Sequence, residues 1–456
     1  MHYWRLSKNR RFFSGLVIGL ALLLALTMFG CSDSTENATP SDSGATTNSA
    51  GGEERTTGAE PVNIMFYTYN YAPGVGKEAL DQLISEFEAE NKDITVTPVF
   101  VQLTELSKKV QEDLAAGVTP DVVQLFYTDV EYAVNNFGIQ DLSTIAGSDE
   151  LTDHLAGFEP SMVNAAKQEG KLYSIPYSLS LSALFYNEKL FVQAGLDPET
   201  PPATWDQVEE YALQIKDKTG MDGFVFGGTG HVAYLQQIIK NKGGDIISPD
   251  RKILKFGEQP AIDAISMLSE MYKSGALSNM SENQGFQAFS QGKLGMMVYT
   301  TNMYILPNTD DLQLRLTDMP TFDGGKVLPI LNGTGLNIFS KDSAKQQASW
   351  KFIKYVTSEH GETVIAEKLA YPPLRPALLT DENYCKDWAE TDKNLEMIQV
   401  VYPQLENLIP CVTFPGGNSQ QIMTTFVDAV NKSIFSDVDV TKTMNEAQSQ
   451  AQAFMP

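Results

Sequence analysis

Strand and helix patterns alternate along the chain from residue 62, and this alternation constrains the fold more than any other feature. Residues 62–67 form an apolar run rich in β-formers, and a loop follows that runs to Gly76. An amphipathic helical pattern, a strand pattern at 94–101, a helical stretch at 103–116 and a buried strand at 121–125 come next. The order βαβαβ predicts a mainly parallel α/β sheet covered on both faces, with ligands beyond the carboxyl ends of its strands.

The middle of the chain repeats this alternation. Thr204 and Gln207 form a capping box that predicts a helix start, and residues 224–226 read as a short strand. Further helical patterns cover 232–242, 261–273 and 283–291, an apolar strand pattern covers 294–299, and the end, 418–455, looks helical. A second capping box is predicted at Ser343 with Gln346. A second α/β lobe accounts for these patterns, and 456 residues are enough for two or three domains.

Charge and residue types exclude two classes of partner. The chain has 57 acidic and 33 basic side chains, a formal charge of -24, and no Lys/Arg run after the first eleven residues. Such a chain repels nucleic acid, so we expect no nucleic acid partner. Its four scattered His and three Cys have no zinc-ligand spacing, so no His/Cys transition-metal site is expected, whereas calcium binding is left open.

The N-terminus has the pattern of an export signal. Basic residues between Arg5 and Arg11 precede an apolar stretch at 12–29, and residues 32–60 are polar without apolar periodicity. Gly30-Cys31 resembles a bacterial lipoprotein signal, although Phe29 is bulkier than usual there. This resemblance implies a signal peptide at 1–30, lipidation of Cys31, a tether at 31–60 and anchoring to the outer face of the cell membrane. An uncleaved membrane anchor is the alternative, since the run approaches the length that spans a bilayer.

Export permits a disulfide between Cys385 and Cys411. Two free buried thiols are the alternative, and the sequence leaves both open.

Several separated motifs carry a resemblance to a known family. The most specific is 175–187, Ile-Pro-Tyr-Ser-Leu-Ser-Leu-Ser-Ala-Leu-Phe-Tyr-Asn, which continues in Ala-Gly-Leu-Asp-Pro at 194–198 and Pro-Pro-Ala-Thr-Trp at 201–205. Others are Thr-Pro-Asp-Val-Val at 119–123 and Gly-Lys-Leu-Gly-Met-Met at 292–297. The chain resembles the extracellular solute-binding proteins of carbohydrate-type ABC importers, in the maltose- and glycerol-3-phosphate-binding branch.

That resemblance implies a two-lobed α/β fold of the periplasmic-binding-protein type (type II), whose lobes are joined by crossing hinge segments. Lobe 1 would comprise 61–177 plus 334–375, and lobe 2 would comprise 178–333 plus 376–456. It also implies a monomer without cofactor or catalysis that captures a sugar or polyol and delivers it to permease subunits.

The candidate solute-binding residues share one kind of position, at strand ends and crossing segments that face the cleft. Tyrosine and histidine rings suit the apolar faces of a sugar, while hydroxyl and amide groups suit its hydroxyls. The candidates are Tyr67, Tyr69, Tyr127, Ser178, Ser180, His231, Tyr234, Tyr299, Asn302, Asn332, Gly333, Thr334 and Arg375.

Some of these residues have an alternative interpretation. One tyrosine of the pair Tyr67 and Tyr69 can pack under its loop, and Ser178 and Ser180 can be ordinary loop serines. Arg375 stands among prolines that would aim its guanidinium at an anion or a hydroxyl pair of the solute. The alternative is that it pairs with the acidic surface.

Two departures from the glycerol-3-phosphate binder favour an uncharged solute. That binder has tryptophans in the segment that matches 227–235, where this chain has none, and an Arg before the Gly-Asn that matches Gly417-Asn418, where this chain has Gly416. A neutral sugar or sugar alcohol is therefore predicted, with His231 and Tyr234 as the aromatic wall. A glycerol-3-phosphate or glycerophosphodiester binder of the same fold is the alternative.

Two other classes fit the sequence less well. Residues 228–233 superficially match a dinucleotide fingerprint, but the segment 241–250 that should hold the next strand is rich in Gly, Ser and Pro. A secreted glycoside hydrolase needs two opposed carboxylates, and no catalytic spacing supports one beyond the abundance of Asp and Glu.

Overall fold

A computed structural model describes residues 61–456, and the fold is given for this part of the chain. The predicted signal peptide at 1–30, the lipidated Cys31 and the tether at 31–60 lie outside the described residues. No helix between residues 61 and 456 combines the length and the apolar character that crossing a membrane requires.

Twelve strands are assigned in this part of the chain. They are β1 (Val62–Thr68), β2 (Ile94–Phe100), β3 (Val122–Phe126), β4 (Lys167–Gln168), β5 (Lys171–Leu172), β6 (Ile175–Ser180), β7 (Ser182–Asn187), β8 (Asp222–Phe226), β9 (Leu294–Thr300), β10 (Leu314–Asp318), β11 (Ile330–Ile338) and β12 (Ile409–Pro410).

Seventeen α-helices are assigned over the same residues. They are α1 (Val75–Glu90), α2 (Leu106–Ala115), α3 (Tyr127–Asn136), α4 (Ser143–Ala146), α5 (Ser148–His154), α6 (Pro160–Ala165), α7 (Glu188–Ala194), α8 (Trp205–Thr219), α9 (Val232–Asn241), α10 (Gln259–Ser274), α11 (Glu282–Ser290), α12 (Ser343–Val356), α13 (Glu359–Leu369), α14 (Lys386–Ala389), α15 (Asp392–Val401), α16 (Ser419–Phe435) and α17 (Val440–Gln452). Short 3₁₀ turns lie at Leu103–Glu105, Thr301–Ile305, Pro376–Thr380 and Tyr402–Asn407.

The first sheet is built on the predicted βαβαβ unit. Its order is β12-β11-β3-β1-β2, with β6 also paired to β11. β1 runs parallel to β2 and β3, which confirms the parallel unit predicted from the sequence. β11, which lies more than 200 residues after β3 in the sequence, runs antiparallel to both β3 and β6. We call this sheet and the helices on it lobe 1.

The second sheet has the order β10-β7-β9-β8 and forms the centre of lobe 2. β8 and β9 are parallel, while β7 is antiparallel to β9 and to β10. β6 belongs to the first sheet and β7 to the second, and Leu181 alone lies between them. The motif at 175–187 is therefore a crossing segment between the lobes.

Aromatic residues fill the core of each lobe. Phe352 of α12 packs edge-on against Phe66 and Phe87, each with its ring centroid 5.3 Å away. In lobe 2 the ring of Trp205 lies 6.3 Å from Phe224 and 6.1 Å from Phe226. Both clusters are almost fully buried, as the apolar periodicity of these segments predicts.

One predicted helix cap is confirmed and the other is wrong by one residue. Gln207 N donates to Thr204 Oγ1 at 3.3 Å, and Thr204 N donates to Gln207 Oε1 at 3.2 Å. In α12, however, Asp342 rather than Ser343 is the N-cap, and its Oδ1 accepts from Lys345 N at 2.9 Å. Asp and Ser are both strong N-caps, so an Asp-Ser pair does not fix the first residue of a helix.

Candidate functional site

A buried polar chain ties the crossing strands to lobe 1. Thr68 at the end of β1 hydrogen-bonds Gln124 of β3, whose Nε2 donates to Thr334 Oγ1 at 3.0 Å. Thr334 of β11 in turn bonds Ser178 Oγ of β6 at 2.7 Å. All four side chains are buried. The predicted site residues Ser178 and Thr334 therefore meet, and they already bond each other.

Four tyrosines, which we call the tyrosine cluster, lie around these hydrogen-bonded side chains: Tyr69, Tyr127, Tyr177 and Tyr371. Tyr69 Oη lies 3.4 Å from Tyr371 Oη. Burial raises the pKa of the Tyr69 phenol, while hydrogen bonds with Tyr371, Thr334 and Ser178 oppose that rise. Burial likewise raises the pKa of the other three phenols. All four therefore stay protonated at neutral pH and can donate a hydrogen bond.

Several polar atoms of this region are buried without a hydrogen-bond partner among the described residues. They are Tyr127 Oη, Tyr177 Oη, Asn70 Nδ2 and Ser180 Oγ. Buried polar groups are nearly always paired in native proteins. Their concentration beside the crossing strands makes them candidates for contact with a polar solute.

Gly333 allows these parts to approach one another. A Cβ at this position would lie 2.2 Å from Ser178 O and 3.2 Å from the Tyr127 ring. Any side chain would therefore separate β11 from β6 and displace Tyr127, so the two strands approach this closely because residue 333 is glycine.

Lobe 2 contributes a second group of aromatic and polar side chains. His231 Nε2 lies 2.8 Å from Glu282 Oε2, and Tyr299 is near the same carboxylate and packs on Phe286 at 5.7 Å. Asn302 is bonded by Thr300 Oγ1 and reaches Tyr371 of the tyrosine cluster. The structure thus brings Asn302 together with the lobe 1 residues.

Tyr234 does not join this group as a wall residue. It is 2% exposed and packs on Phe226, with ring centroids 6.5 Å apart. A Cβ on Gly228 would lie 1.7 Å from its ring, so the loop lies directly over Tyr234. The predicted aromatic wall is therefore corrected here: His231 is half-buried at the surface of the cleft, and Tyr234 belongs to the core beneath it.

A cavity of about 470 Å³, which we call the interlobe cavity, is lined by residues of both lobes. None of the four clustered tyrosines is among its described lining residues, but Phe126 and Thr128, on either side of Tyr127, line it, as does Asn332 beside Gly333. Its lobe 1 wall includes Ser107, Gln111, Thr128, Asp129 and Tyr132, and its lobe 2 wall includes His231, Phe414, Ser419, Gln420 and Met423. Hydroxyl, amide and aromatic groups from both lobes face this space, whose volume is typical of small-molecule sites.

The charges around the interlobe cavity are few. Asp129 Oδ2 accepts from Ser107 Oγ at 3.3 Å, and burial raises the pKa of Asp129 to about 6. Lys108 is the one Lys or Arg of the described lining, and its Nζ lies 3.7 Å from Glu105 with 69% of its side chain exposed. The lining is therefore poor in groups that could neutralise an anion.

Arg375 is placed differently from the prediction. Its guanidinium pairs with Glu362 and lies 3.8 Å from the centroid of the Phe158 ring, and the residue is 7% exposed. Its other donors bond the backbone carbonyls of Thr357, His154 and Ala156. Because these donors are already taken up inside lobe 1, Arg375 is corrected from a solute clamp to a buried structural residue.

Tyr67 is corrected in the same way. It is 3% exposed within the lobe 1 core, and its hydroxyl donates to Asp113 Oδ2 of α2 at 2.6 Å. Tyr67 lies within β1 and packs under α2, whereas Tyr69 follows the last residue of the strand, is no longer held to its pleat, and reaches the tyrosine cluster. The alternative stated above, that one tyrosine of the pair packs under the loop, applies to Tyr67.

The two described cysteines do not form a disulfide. Cys385 is buried against Thr363, a residue of lobe 1, whereas Cys411 lines the interlobe cavity. Burial raises the pKa of Cys385 to about 11 and that of Cys411 to about 12, so both are thiols at neutral pH. Between residues 61 and 456, no group of three or more His, Cys, Asp or Glu has the arrangement of a metal site.

Some residues of the region were missed by the sequence reasoning. Tyr177 lies inside the motif at 175–187, and Tyr371 directly precedes the prolines that lead to Arg375. Ser107, Gln111 and Tyr132 face the cavity from helices, where polar residues usually indicate a solvated surface. Of these residues, only Tyr177 could have been identified from the sequence, because it lies in the motif.

The amino-acid sequence is similar to those of known binding proteins. The family of bacterial extracellular solute-binding proteins matches residues 73–363. The sn-glycerol-3-phosphate-binding periplasmic protein UgpB of Escherichia coli K12 is 24% identical over 344 residues, which cover 70% of this chain and 76% of that protein. The UgpB of Shigella dysenteriae gives the same identity and coverage.

Solved structures share the fold. Maltose-bound MalE3 of T. maritima is 22% identical, with a TM-score of 0.74 over 86% of this chain and all of that one. UgpB of Mycobacterium tuberculosis in complex with glycerophosphocholine is 19% identical, with a TM-score of 0.74 over 87% of this chain and 98% of that one. These neighbours confirm the predicted two-lobed α/β fold. Since the family match covers well over half of the chain, this protein belongs to the bacterial extracellular solute-binding proteins.

Proposed function

We propose that the protein captures a neutral sugar or polyol between its two lobes and releases it unchanged to the permease of an ABC importer. The observation that carries this choice of solute is the interlobe cavity, whose two walls present hydroxyl, amide and aromatic groups and a single, exposed lysine. Such walls match the hydroxyls and apolar ring faces of a sugar.

The solute would reach from the interlobe cavity to the neighbouring tyrosine cluster. There the buried hydroxyls of Tyr127, Tyr177 and Ser180, which lack partners among the described residues, would bond its hydroxyl groups. The pairing of these atoms would offset the cost of their burial only in the complex, so it would contribute directly to affinity. Tyr69, Asn302, Thr334 and Asn332 would shape the same space.

The lobes proposed here are 61–177 plus 334–375 and 178–333 plus 376–456. Pairing of β11 with β3 and packing of α1 on α13 support the first set, and packing of α10 on α16 and α17 supports the second. The two crossing segments, β6 to β7 and β11, would serve as hinges, and closure would be stabilised by a solute that contacts both lobes.

The protein is further proposed to be a monomer that is exported and held to the membrane through a lipidated Cys31. The basic and apolar leader followed by Gly30-Cys31 supports this. Metabolic labelling with palmitate should mark the wild-type protein and leave a Cys31→Ala variant unlabelled; equal labelling of both would contradict the anchor.

A glycerol-3-phosphate or glycerophosphodiester binder is the second candidate. The observation in its favour is that the curated relatives carry the name of a glycerol-3-phosphate binder and one neighbour was solved with glycerophosphocholine. Against it stands the scarcity of cations in the lining of the interlobe cavity.

Calorimetric titration of the purified protein separates these functions. The panel would contain mono- and oligosaccharides, polyols, glycerol 3-phosphate and glycerophosphocholine, and the mixture would be recovered for chromatography. We expect a neutral sugar or polyol to bind and to be recovered intact. Tighter binding of the phosphates would favour the second candidate, and conversion of a sugar to products would contradict a binding protein altogether.

A matched pair of variants tests the location of the site. Tyr177→Phe removes a hydroxyl from the tyrosine cluster, whereas Tyr67→Phe removes one that is bonded to Asp113 within lobe 1. Affinity should fall for the first variant and stay unchanged for the second. The reverse result would move the site away from the cluster.

A further inference from the structure

A second cavity, which we call the distal cavity, lies at the end of lobe 1 away from the interlobe cavity. Its volume is about 330 Å³, which is within the range of small-molecule sites. Asp121, directly before β3, and Phe339, directly after β11, line it. The interlobe cavity is lined instead by Phe126 at the end of β3 and Asn332 near the start of β11. The two antiparallel strands therefore run from one cavity to the other, and the two cavities are separate.

One side of the distal cavity is apolar. Leu114 of α2, Phe137 at the end of α3 and Phe339 line it, and the ring centroids of Phe137 and Phe339 are 6.3 Å apart. Leu114 and Phe137 are only partly buried. Because part of this apolar surface is not covered by protein, an aromatic ring of a ligand could pack against it.

The polar side of the distal cavity has one charge without a partner. Lys345 Nζ lies 2.9 Å and 3.2 Å from the two carboxylate oxygens of the buried Asp121, so these two charges neutralise each other. Asp342 is the N-cap of α12 and accepts from the backbone N of Lys345 at 2.9 Å. Lys341 is exposed at the rim, and no ion pair of Lys341 is found between residues 61 and 456. The charge left for a ligand is therefore positive.

Aromatic packing connects the distal cavity with the interlobe cavity. Tyr132 of α3 lines the interlobe cavity, and its ring packs edge-on against Phe137, with centroids 5.3 Å apart. Phe137 in turn lines the distal cavity and packs on Phe339. A change in the position of Phe137 would therefore be transmitted to a wall residue of the interlobe cavity, because close-packed side chains transmit strain.

From these observations we infer a second ligand site in the distal cavity, which takes a small aromatic monocarboxylate and is coupled to the interlobe cavity through Phe137 and Tyr132. The ring of the ligand would pack on Leu114 and Phe137, and its carboxylate would accept a charge-assisted hydrogen bond from Lys341 Nζ. The site goes beyond the proposed function, and only its effect on sugar affinity rests on that function.

Calorimetric titration of the purified protein with phenylacetate tests the site without any sugar, and phenylacetamide is its uncharged isostere. We expect phenylacetate to bind more tightly than the amide by about two- to fivefold, which is the contribution of an exposed ion pair. Lys341→Gln should remove this preference. Lys92→Gln is the matched control, because Lys92 is exposed in the loop between α1 and β2 and should leave the preference unchanged.

A blocking variant locates the ligand. Thr119 is exposed at the rim of the distal cavity, so Thr119→Trp should fill the cavity with little disturbance of the core and abolish binding of both probes. No saturable binding of phenylacetate to wild type, unchanged binding to Thr119→Trp, or an equal effect of Lys92→Gln and Lys341→Gln would overturn the site.

The coupling has two readouts. In the absence of sugar, phenylacetate should slow hydrogen exchange in α3 around Tyr132 as well as at the distal cavity. At saturating phenylacetate, the dissociation constant of the best-binding sugar should change by about threefold or more, and saturating sugar should change that of phenylacetate by the same factor. In Phe137→Leu this factor should approach one, because the ring between the two cavities is removed.

Exchange that slowed only at the distal cavity, or a sugar affinity that did not respond to phenylacetate, would overturn the coupling. Failure of every panel sugar to bind would contradict the proposed function instead. That outcome is distinct, because the titrations with phenylacetate and the hydrogen exchange need no sugar.

Discussion

At the scale of single residues, the buried polar groups divide into those that already have partners and those that lack them. Arg375 and Glu362 are both buried and satisfy each other, and the backbone N–H groups of Leu374 and Arg375 complete the bonding of that carboxylate. Tyr127 and Tyr177 are as deeply buried but their hydroxyls have no partner in the described part of the chain. The first kind of group stabilises the fold, and the second is available to a solute.

Replacing Arg375 should therefore affect stability and not solute choice. In Arg375→Ala the buried Glu362 loses its counter-charge, so we expect the free energy of unfolding to fall by about 3–5 kcal/mol. Urea denaturation measures this, and calorimetry at a temperature where the variant is folded should give the wild-type affinity. The double variant Arg375→Met with Glu362→Gln should recover much of the loss. A variant of normal stability that no longer binds solute would restore Arg375 as a clamp.

Removing an unpartnered hydroxyl should have the opposite effect. Tyr127→Phe loses no hydrogen bond in the free protein, so its unfolding midpoint should equal or exceed that of wild type. In the complex it loses a bond to the solute, and the dissociation constant should rise by about 5–30-fold. Loss of stability together with unchanged affinity would show that the hydroxyl serves the fold.

The charge of Asp129 should make stability depend on pH. Burial raises its pKa from 3.8 to about 6, so between these values the folded protein binds more protons than the unfolded chain. Stability is therefore lost as the pH rises through this window, by at most about 3 kcal/mol. Asp129→Asn should melt at a higher temperature than wild type at pH 7.5, and the difference should shrink toward pH 4. A difference that did not change with pH would contradict this origin.

At the scale of elements, one ion pair joins the two lobes beside the interlobe cavity. Arg251 belongs to a loop of lobe 2 and Glu131 to α3 of lobe 1, and the distance between Arg251 Nη2 and Glu131 Oε2 is 2.6 Å. Thr413, which lines the cavity, bonds both: its Oγ1 accepts from Arg251 at 2.9 Å and donates to Glu131 at 2.8 Å. We expect this group to form when the lobes close and to separate when they open.

Arg251→Ala should consequently weaken solute binding without altering solute preference. Loss of a partly buried, charge-assisted bond to the closed state should raise the dissociation constants of all bound solutes by about 3–30-fold, mainly through faster release. Lys255→Ala is the control, since Lys255 pairs with Glu258 inside lobe 2 at 3.5 Å. Stopped-flow release rates that were the same in both variants would show that the pair does not act on closure.

The sequence predicted those elements whose partners are near in the chain. The parallel strands β1 to β3 and the Thr204 cap depend on local periodicity and side-chain chemistry, and both are confirmed. The antiparallel position of β11 depends on pairing with β3 and β6, which are more than 150 residues away in the sequence. Local sequence patterns therefore do not predict it. The candidate site residues divide in the same way: Ser178 lies in the motif at 175–187, whereas the positions of Tyr67 and Arg375 depend on distant partners such as Asp113 and Glu362.

At the scale of the whole molecule, residues 61–456 form two lobes, each built on one large sheet, which are joined by short crossings and share a polar cavity. The crossing between β6 and β7 consists of Leu181 alone. The other crossing segment, β11, is itself a strand of the lobe 1 sheet. Bending at such segments moves each lobe as a unit, so the groups that bind solute can come from both. The excess of acidic over basic side chains, 57 against 33, further disfavours anionic solutes at long range.

Small-angle X-ray scattering across a titration with the best-binding sugar tests this account most directly, because it reports the disposition of the lobes as the cavity fills. The account predicts that the radius of gyration decreases on saturation, with a midpoint equal to the calorimetric dissociation constant, and that the decrease is smaller at equal saturation in Arg251→Ala. Scattering curves that coincide in the absence and presence of saturating sugar would contradict closure of two lobes over a captured solute.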